Sequence, residues 1–203
     1  MNYSQSGEQE VILNYFKDYE SGTFLSVGEN DGQTLSNVRA LALTGKFCGT
    51  MIEPSPKAFF KLKQLYNETK GCFYLYNFAL GSHNGTIKFF DSGTHLNKGD
   101  VALLSTANES ELKRFPGTQY EEIEVKVFRW KTALNRFTIK KYDFVSIDAE
   151  GFDLDILKQI DLTDVKCLCI EWNSDNKLKV EFEKIMHGFK LVYTSAENLI
   201  FTK

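Results

Sequence analysis

Short polar clusters that follow apolar, strand-like runs carry most of the residues able to bind or react. The first is Gly28-Glu29-Asn30-Asp31-Gly32. Its two glycines permit a sharp turn and a close backbone approach to a ligand. Backbone N–H groups at the start of the helix expected next would favour an anionic group such as a carboxylate. The spacing is not G-x-G-x-x-G, so a dinucleotide pyrophosphate fits poorly. Glu53, followed by Pro54, comes next. An acid roughly twenty residues beyond a glycine loop can accept hydrogen bonds from both hydroxyls of a ribose; the alternative is a charge that favours a helix start. Phe78-Ala79-Leu80-Gly81 offers small and apolar residues suited to a flat wall for an adenine ring. In Asp148-Ala149-Glu150-Gly151 two carboxylates stand near a sheet edge, where burial without a partner is costly. They are expected to meet a cation, an amine or water, or to pair with the following helix start through Asp153. Glu171-Trp172-Asn173 adds an acid, a stacking face and an amide. Of the histidines, His187 reads as structural near a helix end, His83 as a surface turn, and His95 as a loop residue that could act as a general base.

The elements that must position these residues follow from periodicity. Residues 8–19 read as a helix, 23–27 as a strand, 34–43 as a helix closed by Gly45, 47–52 as a strand, a helix from Pro56 to about Glu68, and 72–80 as a strand. That alternation is half of a doubly wound α/β sheet. A strand is expected over 86–90, another over 122–128, a short helix over 130–137, and buried strands over 143–147 and 165–170, each followed by a helix (153–160 and 178–187). Residues 189–194 and 199–202 read as a closing hairpin, hence an antiparallel edge on a mostly parallel sheet. Residues 91–120 are irregular, as a lid or acceptor-binding insertion would be.

Composition limits the function. The 203 residues suit a single domain, with 1–22 as an N-terminal helical segment. A net charge of -3 and a pI near 5.7 argue against a broad nucleic-acid grip. The local cluster Lys57, Lys61 and Lys63 reads as a solvated helix face. No apolar stretch is long enough to cross a bilayer, and the polar, acidic start is not a signal peptide. Cys48, Cys72, Cys167 and Cys169 lie in apolar runs and are expected as buried free thiols, which points to the cytoplasm. Oligomeric state is left open.

The clusters, in this order, resemble the FkbM family of S-adenosylmethionine-dependent methyltransferases. The residues that carry the resemblance are Ser4-Gln5-x-Gly7-Glu8, Phe24 through Gly32, Ile52-Glu53-Pro54-Ser55-Pro56-Lys57, Asn77-Phe78-Ala79-Leu80 with Asn84-Gly85, Phe144 through Gly151, and Ile170-Glu171-Trp172-Asn173. The resemblance implies a seven-stranded, Rossmann-like class I methyltransferase sheet with S-adenosylmethionine over the glycine loop. Carried over by position, Gly28, Asn30 and Gly32 would hold the methionine half, Glu53 the ribose, and Ala79 would lie near the adenine. Asp148 would face the sulfonium and the acceptor, as first choice for the base, with His95 second. Glu29, Asp31, Pro54 and Leu80 belong to the same expected cofactor set. The family usually has an acid where Ser26 stands and Ala where Glu29 stands, so the acid near the cofactor's amino group is either lost or replaced by Glu29. The acceptor implied is a hydroxyl of a sugar, glycan or natural product. Magnesium on Asp148, Glu171 and Asn173 is the less favoured route to an activated hydroxyl. The rival readings are an inactive binding module of the same fold and a nicotinamide-dependent oxidoreductase, which the missing G-x-G-x-x-G opposes.

Overall fold

The computed structural model describes residues 1–95 and 100–203. The described residues form ten strands and six α-helices: α1 (Glu8–Tyr15), β1 (Gly22–Val27), α2 (Arg39–Leu43), β2 (Phe47–Ile52), α3 (Pro56–Asn67), β3 (Phe73–Tyr76), β4 (Ala79–Leu80), β5 (Gly85–Ser92), β6 (Tyr120–Phe128), α4 (Trp130–Arg136), β7 (Phe144–Ile147), α5 (Asp153–Leu157), β8 (Cys167–Glu171), α6 (Asn176–Ile185), β9 (Lys190–Thr194) and β10 (Asn198–Thr202). Seven strands form one sheet in the order β3-β2-β1-β7-β8-β10-β9. The first five are parallel neighbours and β10 runs antiparallel to both its partners, as the sequence predicts. The order reverses between β1 and β7, and their carboxyl ends carry Gly28 and Asp148. Crevices at such reversals are where open α/β sheets bind ligands.

The central strands are buried on both faces. Leu25, Val27, Val145 and Ile147 pack into one apolar cluster with α4, α5 and α6. Phe24, Phe144, Cys167 and Cys169 pack into the other with α1, α2 and α3. A three-stranded sheet, β4-β6-β5, stands beside the main one and was not expected. The predicted strand over 72–80 is in fact two. Asn77 breaks it by donating its side-chain amide to the carbonyls of Glu53 and Pro54 (2.8 and 3.1 Å), and β4 then pairs with β6. Lys57, read as part of a solvated face, instead ties α3 to this second sheet through Asp91 and Glu121 (3.3 and 2.7 Å).

Two further expectations are corrected. The helix predicted over 34–43 begins only at Arg39, because Leu35 takes a left-handed backbone (φ 56°) and the Ser36 hydroxyl accepts from the N–H of Arg39 as a turn would. The cysteines are not four free thiols. Cys48 and Cys72 are joined as a disulfide, their Cα atoms 4.8 Å apart, because the parallel register of β2 and β3 sets them side by side. Cys167 and Cys169 are free and buried. Of the 91–120 segment, residues 96–99 lie outside the described residues. The rest is pinned: Phe90 and Thr106 bond each other's backbone, the Ser92 carbonyl accepts from Ala102, and a short 3-10 turn covers Glu111–Lys113. No helix among the described residues is long and apolar enough to cross a membrane.

Candidate functional site

A cavity of about 730 Å³ opens at the carboxyl ends of β1, β2, β7 and β8 and is closed on its far side by β4–β6 and the arm 101–115, which contributes Ala102, Leu104, Arg114 and Phe115. Gly28 allows its floor to form. Its φ is +76°, and a Cβ there would stand 1.7 Å from the Asp148 carbonyl oxygen, so only glycine lets the two strand ends meet.

The loop after β1 is not the anion nest expected from its sequence. The N–H groups of Gly28 and Glu29 both donate to the Ile52 carbonyl, that of Asn30 to Glu53 Oε2 (2.8 Å), and that of Gly32 to the Glu29 carbonyl. Gln33 and Thr34 donate theirs to Asp31 Oδ1 (2.9 and 2.7 Å). These N–H groups are therefore spent within the chain. Asp31 and Gly32, both expected at the cofactor, do not line the cavity. Asp31 builds the turn, and Gly32 packs under Leu62 and Tyr66 of α3.

Glu53 sits at the end of β2, only 4% exposed. Its Oε2 holds Asn30 and its Oε1 accepts the N–H of Ser55 at 2.6 Å, which leaves further lone pairs toward the cavity it lines. Burial pushes its carboxyl up to about 8; the two N–H bonds oppose that rise, and Asp91 and Glu29 add to it. The Asn30 side chain reaches the other way and donates to the Val101 carbonyl at 2.9 Å, joining loop to arm. Pro54, Ala79 and Leu80 line the cavity, with Ala79 and Leu80 buried in β4. Glu29 also lines it, 4% exposed and bound by the Ser26 and Ser36 hydroxyls; burial pushes it up to about 7.

After β7 the chain turns back under the control of Asp153, whose carboxylate accepts from the N–H groups of Ala149 and Gly151 (2.9 and 3.2 Å). Asp153 is thus committed to the turn. Asp148, Glu150 and Glu171 each place a carboxylate oxygen within 4.8 Å of the others. Burial comes first in raising all three; the Asp153 charge adds to it for Asp148, Asp148 and Asp153 add to it for Glu150, and Asp148, Glu150 and Asp153 add to it for Glu171. Asp148 is pushed up to about 7. Arg114 of the arm lies 3.6 Å from Glu150 and 3.5 Å from Glu111, and stacks over Phe115. Three such oxygens suit a hard divalent cation. Glu150 joins Asp148 and Glu171 in that group, and Asn173, the third ligand expected, also lines the cavity and hydrogen-bonds to Glu171. Glu150, which the sequence sets beside Asp148 to meet a cation but which the expected magnesium set omits, takes a left-handed backbone (φ 45°).

His95 and His83 reach the cavity from exposed positions, and the His95 ring packs edge-on against Phe115 at 5.5 Å. His187 is exposed beyond the end of α6. Trp172, expected as a stacking face, is instead a core residue, 8% exposed, with its indole N–H on the Ser195 carbonyl. Gln5, from the N-terminal motif, lines the cavity rim.

The methyltransferase FkbM domain model matches residues 26–191. The chain belongs to the FkbM methyltransferase family. Solved structures share the fold. A Methylobacillus flagellatus FkbM methyltransferase superposes with a TM-score of 0.56 at 13% identity over 91% of this chain, which spans only 44% of that protein. A candidate RNA methyltransferase from Pyrococcus horikoshii gives 0.53 at 14% identity, covering 97% of this chain and 83% of that one. A precorrin 8W decarboxylase from Methanobacterium thermoautotrophicum gives 0.54 at 12% identity, covering 100% and 92%. Comparison with curated proteins finds no match. The FkbM domain thus has its glycine loop, Glu53 and the carboxylate group at one cavity, at the point where the strand order reverses.

Proposed function

We propose that the protein is an S-adenosylmethionine-dependent O-methyltransferase whose acceptor is a hydroxyl of a sugar, glycan or related natural product. The observation that carries the reading is Glu53: a buried carboxylate at the end of β2, held beside the glycine loop, with spare lone pairs facing a cavity of nucleoside size. The residues fit the cofactor. Glu53 would take the ribose hydroxyls, Ala79 and Leu80 would face the base, and the Gly28 loop and Glu29 would meet the amino-acid end.

S-adenosylmethionine supplies an electrophilic methyl group. The chain's own task is alignment of the acceptor hydroxyl with that methyl, and removal of its proton. A carboxylate oxygen of Asp148 would accept the proton of the acceptor hydroxyl as the hydroxyl oxygen takes the methyl group. A base near neutrality is suited to this and contributes ~10²–10⁴-fold; burial holds Asp148 at about 7. His95 at the rim is the second choice. Phe115 offers a ring face to a sugar, and the carboxylates accept from its hydroxyls. Arg114 is shared between Glu111 and Glu150, so the lining is richer in acids than in free cations. That supports a neutral, donor-rich acceptor over a nucleic-acid strand.

The test is calorimetric titration with S-adenosylhomocysteine. Micromolar binding to the wild type that Glu53→Gln weakens strongly is expected, and licenses a screen of sugar acceptors. No binding to the wild type sinks the reading.

A further inference from the structure

We propose that a basic stripe along β6 and α4 is the docking surface for an anionic glycan, the chain that carries the acceptor hydroxyl. This rests on the sugar-acceptor reading above and concerns the part of the substrate that stays outside the cavity.

The sequence supplies the first observation. The chain has a net charge of -3, yet residues 125–141 hold six Lys and Arg and no Asp or Glu. All six are exposed. Two are committed locally: Lys140 donates to the Leu134 carbonyl in α4, and Lys141 pairs with Asp164 at 3.1 Å. Lys126, Arg129, Lys131 and Arg136 have no acidic partner among the described residues. Glu124, the nearest acid in sequence, stands opposite Lys88 in the β5–β6 register.

The four cations form one surface, and it reaches the cavity. Lys126 and Phe128 are two residues apart on β6 and so share a side of the strand. The Arg136 guanidinium lies over the Phe128 ring at 4.4 Å. Arg129, which precedes α4, and Arg136, which ends it, lie two turns apart on one side of the helix. Trp130, Ala133 and Phe137 turn inward, which leaves Lys131 outward. At the other end Arg129 donates through Nε to the Ser82 carbonyl at 2.6 Å, and its backbone N–H donates to Asn84 Oδ1 at 3.0 Å. Ser82 and His83 line the cavity, as does Thr86, the register partner of Lys126.

Charge is therefore divided between an acid-lined cavity and a stripe of unpaired cations. A uniformly anionic strand is repelled by the first, and a wholly neutral molecule leaves the second without a partner. The complement is a chain whose reacting sugar is neutral and whose neighbouring residues carry carboxylate or sulfate groups. Single-stranded nucleic acid fits less well. It uses exposed aromatic faces for its bases, whereas Trp130 and Phe137 are buried and Arg136 covers Phe128. A bilayer surface also fits less well, because the exposed large apolar side chains, such as Phe60 and Val180, lie outside the stripe.

The experiment measures, by fluorescence anisotropy, binding of labelled oligogalacturonate and dextran sulfate to the full chain, with neutral dextran as control. The wild type is expected to bind an anionic glycan and not dextran, and to bind several-fold more weakly as salt rises from about 50 to about 200 mM. Lys126→Glu/Lys131→Glu should weaken binding by about ten-fold or more, since each reversal turns an attraction into a repulsion. Unchanged S-adenosylhomocysteine affinity shows that this variant is folded. Lys63→Glu/Lys70→Glu alters the net charge equally and should stay within about two-fold of wild type. Bound glycan should shield His83, at the junction of stripe and cavity, from diethylpyrocarbonate and leave His187 reactive. Four results overturn the stripe and leave the methyl-donor reading intact: binding of neither anionic glycan, an equal loss in the Lys63/Lys70 variant, tighter binding of oligothymidylate or phosphatidylserine vesicles than of either glycan, or an unshielded His83. Failure of the wild type to bind S-adenosylhomocysteine removes that reading, and the acceptor role of the stripe with it.

Discussion

Glu53 and Glu29 are carboxylic acids whose charged forms the fold disfavours, at about 8 and about 7 against an ordinary 4.5. Between those limits the folded chain binds more protons than the unfolded chain. Stability present below 4.5 is therefore lost as pH rises through about 7 and then about 8. The ligand-free protein should melt several degrees lower at about pH 9 than at about pH 5, and Glu53→Gln should flatten that fall. A melting temperature that rises over this range would contradict the burial of these groups. Asp148 is separable from them. Asp148→Asn should cut methyl transfer by ~10²–10⁴-fold and leave S-adenosylhomocysteine affinity nearly unchanged, since the role proposed for it is proton removal. At this scale the sequence was readable where a polar residue ends an apolar run, as Glu53, Asp148 and Glu171 do. It was unreadable where the backbone sign decides: the loop N–H groups turn inward about Gly28, Asn30 and Gly32, through left-handed torsions that residue order does not record.

Elements succeed or fail by how closely they approach one another. Gly28 permits β1 to touch β7, so Gly28→Ala should destabilise by more than about 4 kcal/mol. Gly45 also has positive φ but nothing within 4 Å of its added Cβ, so Gly45→Ala should cost about 1 kcal/mol. Urea midpoints of the two variants test the contrast. The disulfide joins residues 24 apart across β2 and β3. Loop closure of that length is worth about 3 kcal/mol, so Cys72→Ser should lower the unfolding midpoint accordingly. Its pairing could not be read from spacing, because only the register of Gly49 with Phe73 makes Cys48 and Cys72 neighbours. The second sheet was hidden for a related reason. Phe73 to Leu80 is one apolar run but for Asn77, and the side-chain bonds by which that residue bends the chain are long-range. The parallel order of the main sheet, by contrast, follows from strand–helix alternation and was legible throughout.

Across the whole molecule, distant segments close the site. Glu8 of α1 is wholly buried and accepts from the Ser195 hydroxyl and the Asn198 amide (2.9 and 3.2 Å), tying the first helix to the turn between β9 and β10. Residues on either side of this clasp, Gln5 and Glu197, reach the cavity rim although both lie outside the 26–191 family match. Glu8→Ala should cost about 1–3 kcal/mol by stranding its partners and should expose the first residues to protease before the rest. Asn30 makes a shorter connection. Its N–H is held by Glu53 and its side chain by Val101, so one residue spans the strand end and the arm. A nucleoside that engages Glu53 and an acceptor that lies against the arm then pull on the same asparagine. Such a molecule should take its two substrates in sequence, the methyl donor first. Initial-velocity and product-inhibition patterns should show compulsory order in the wild type and relax toward random addition in Asn30→Ala.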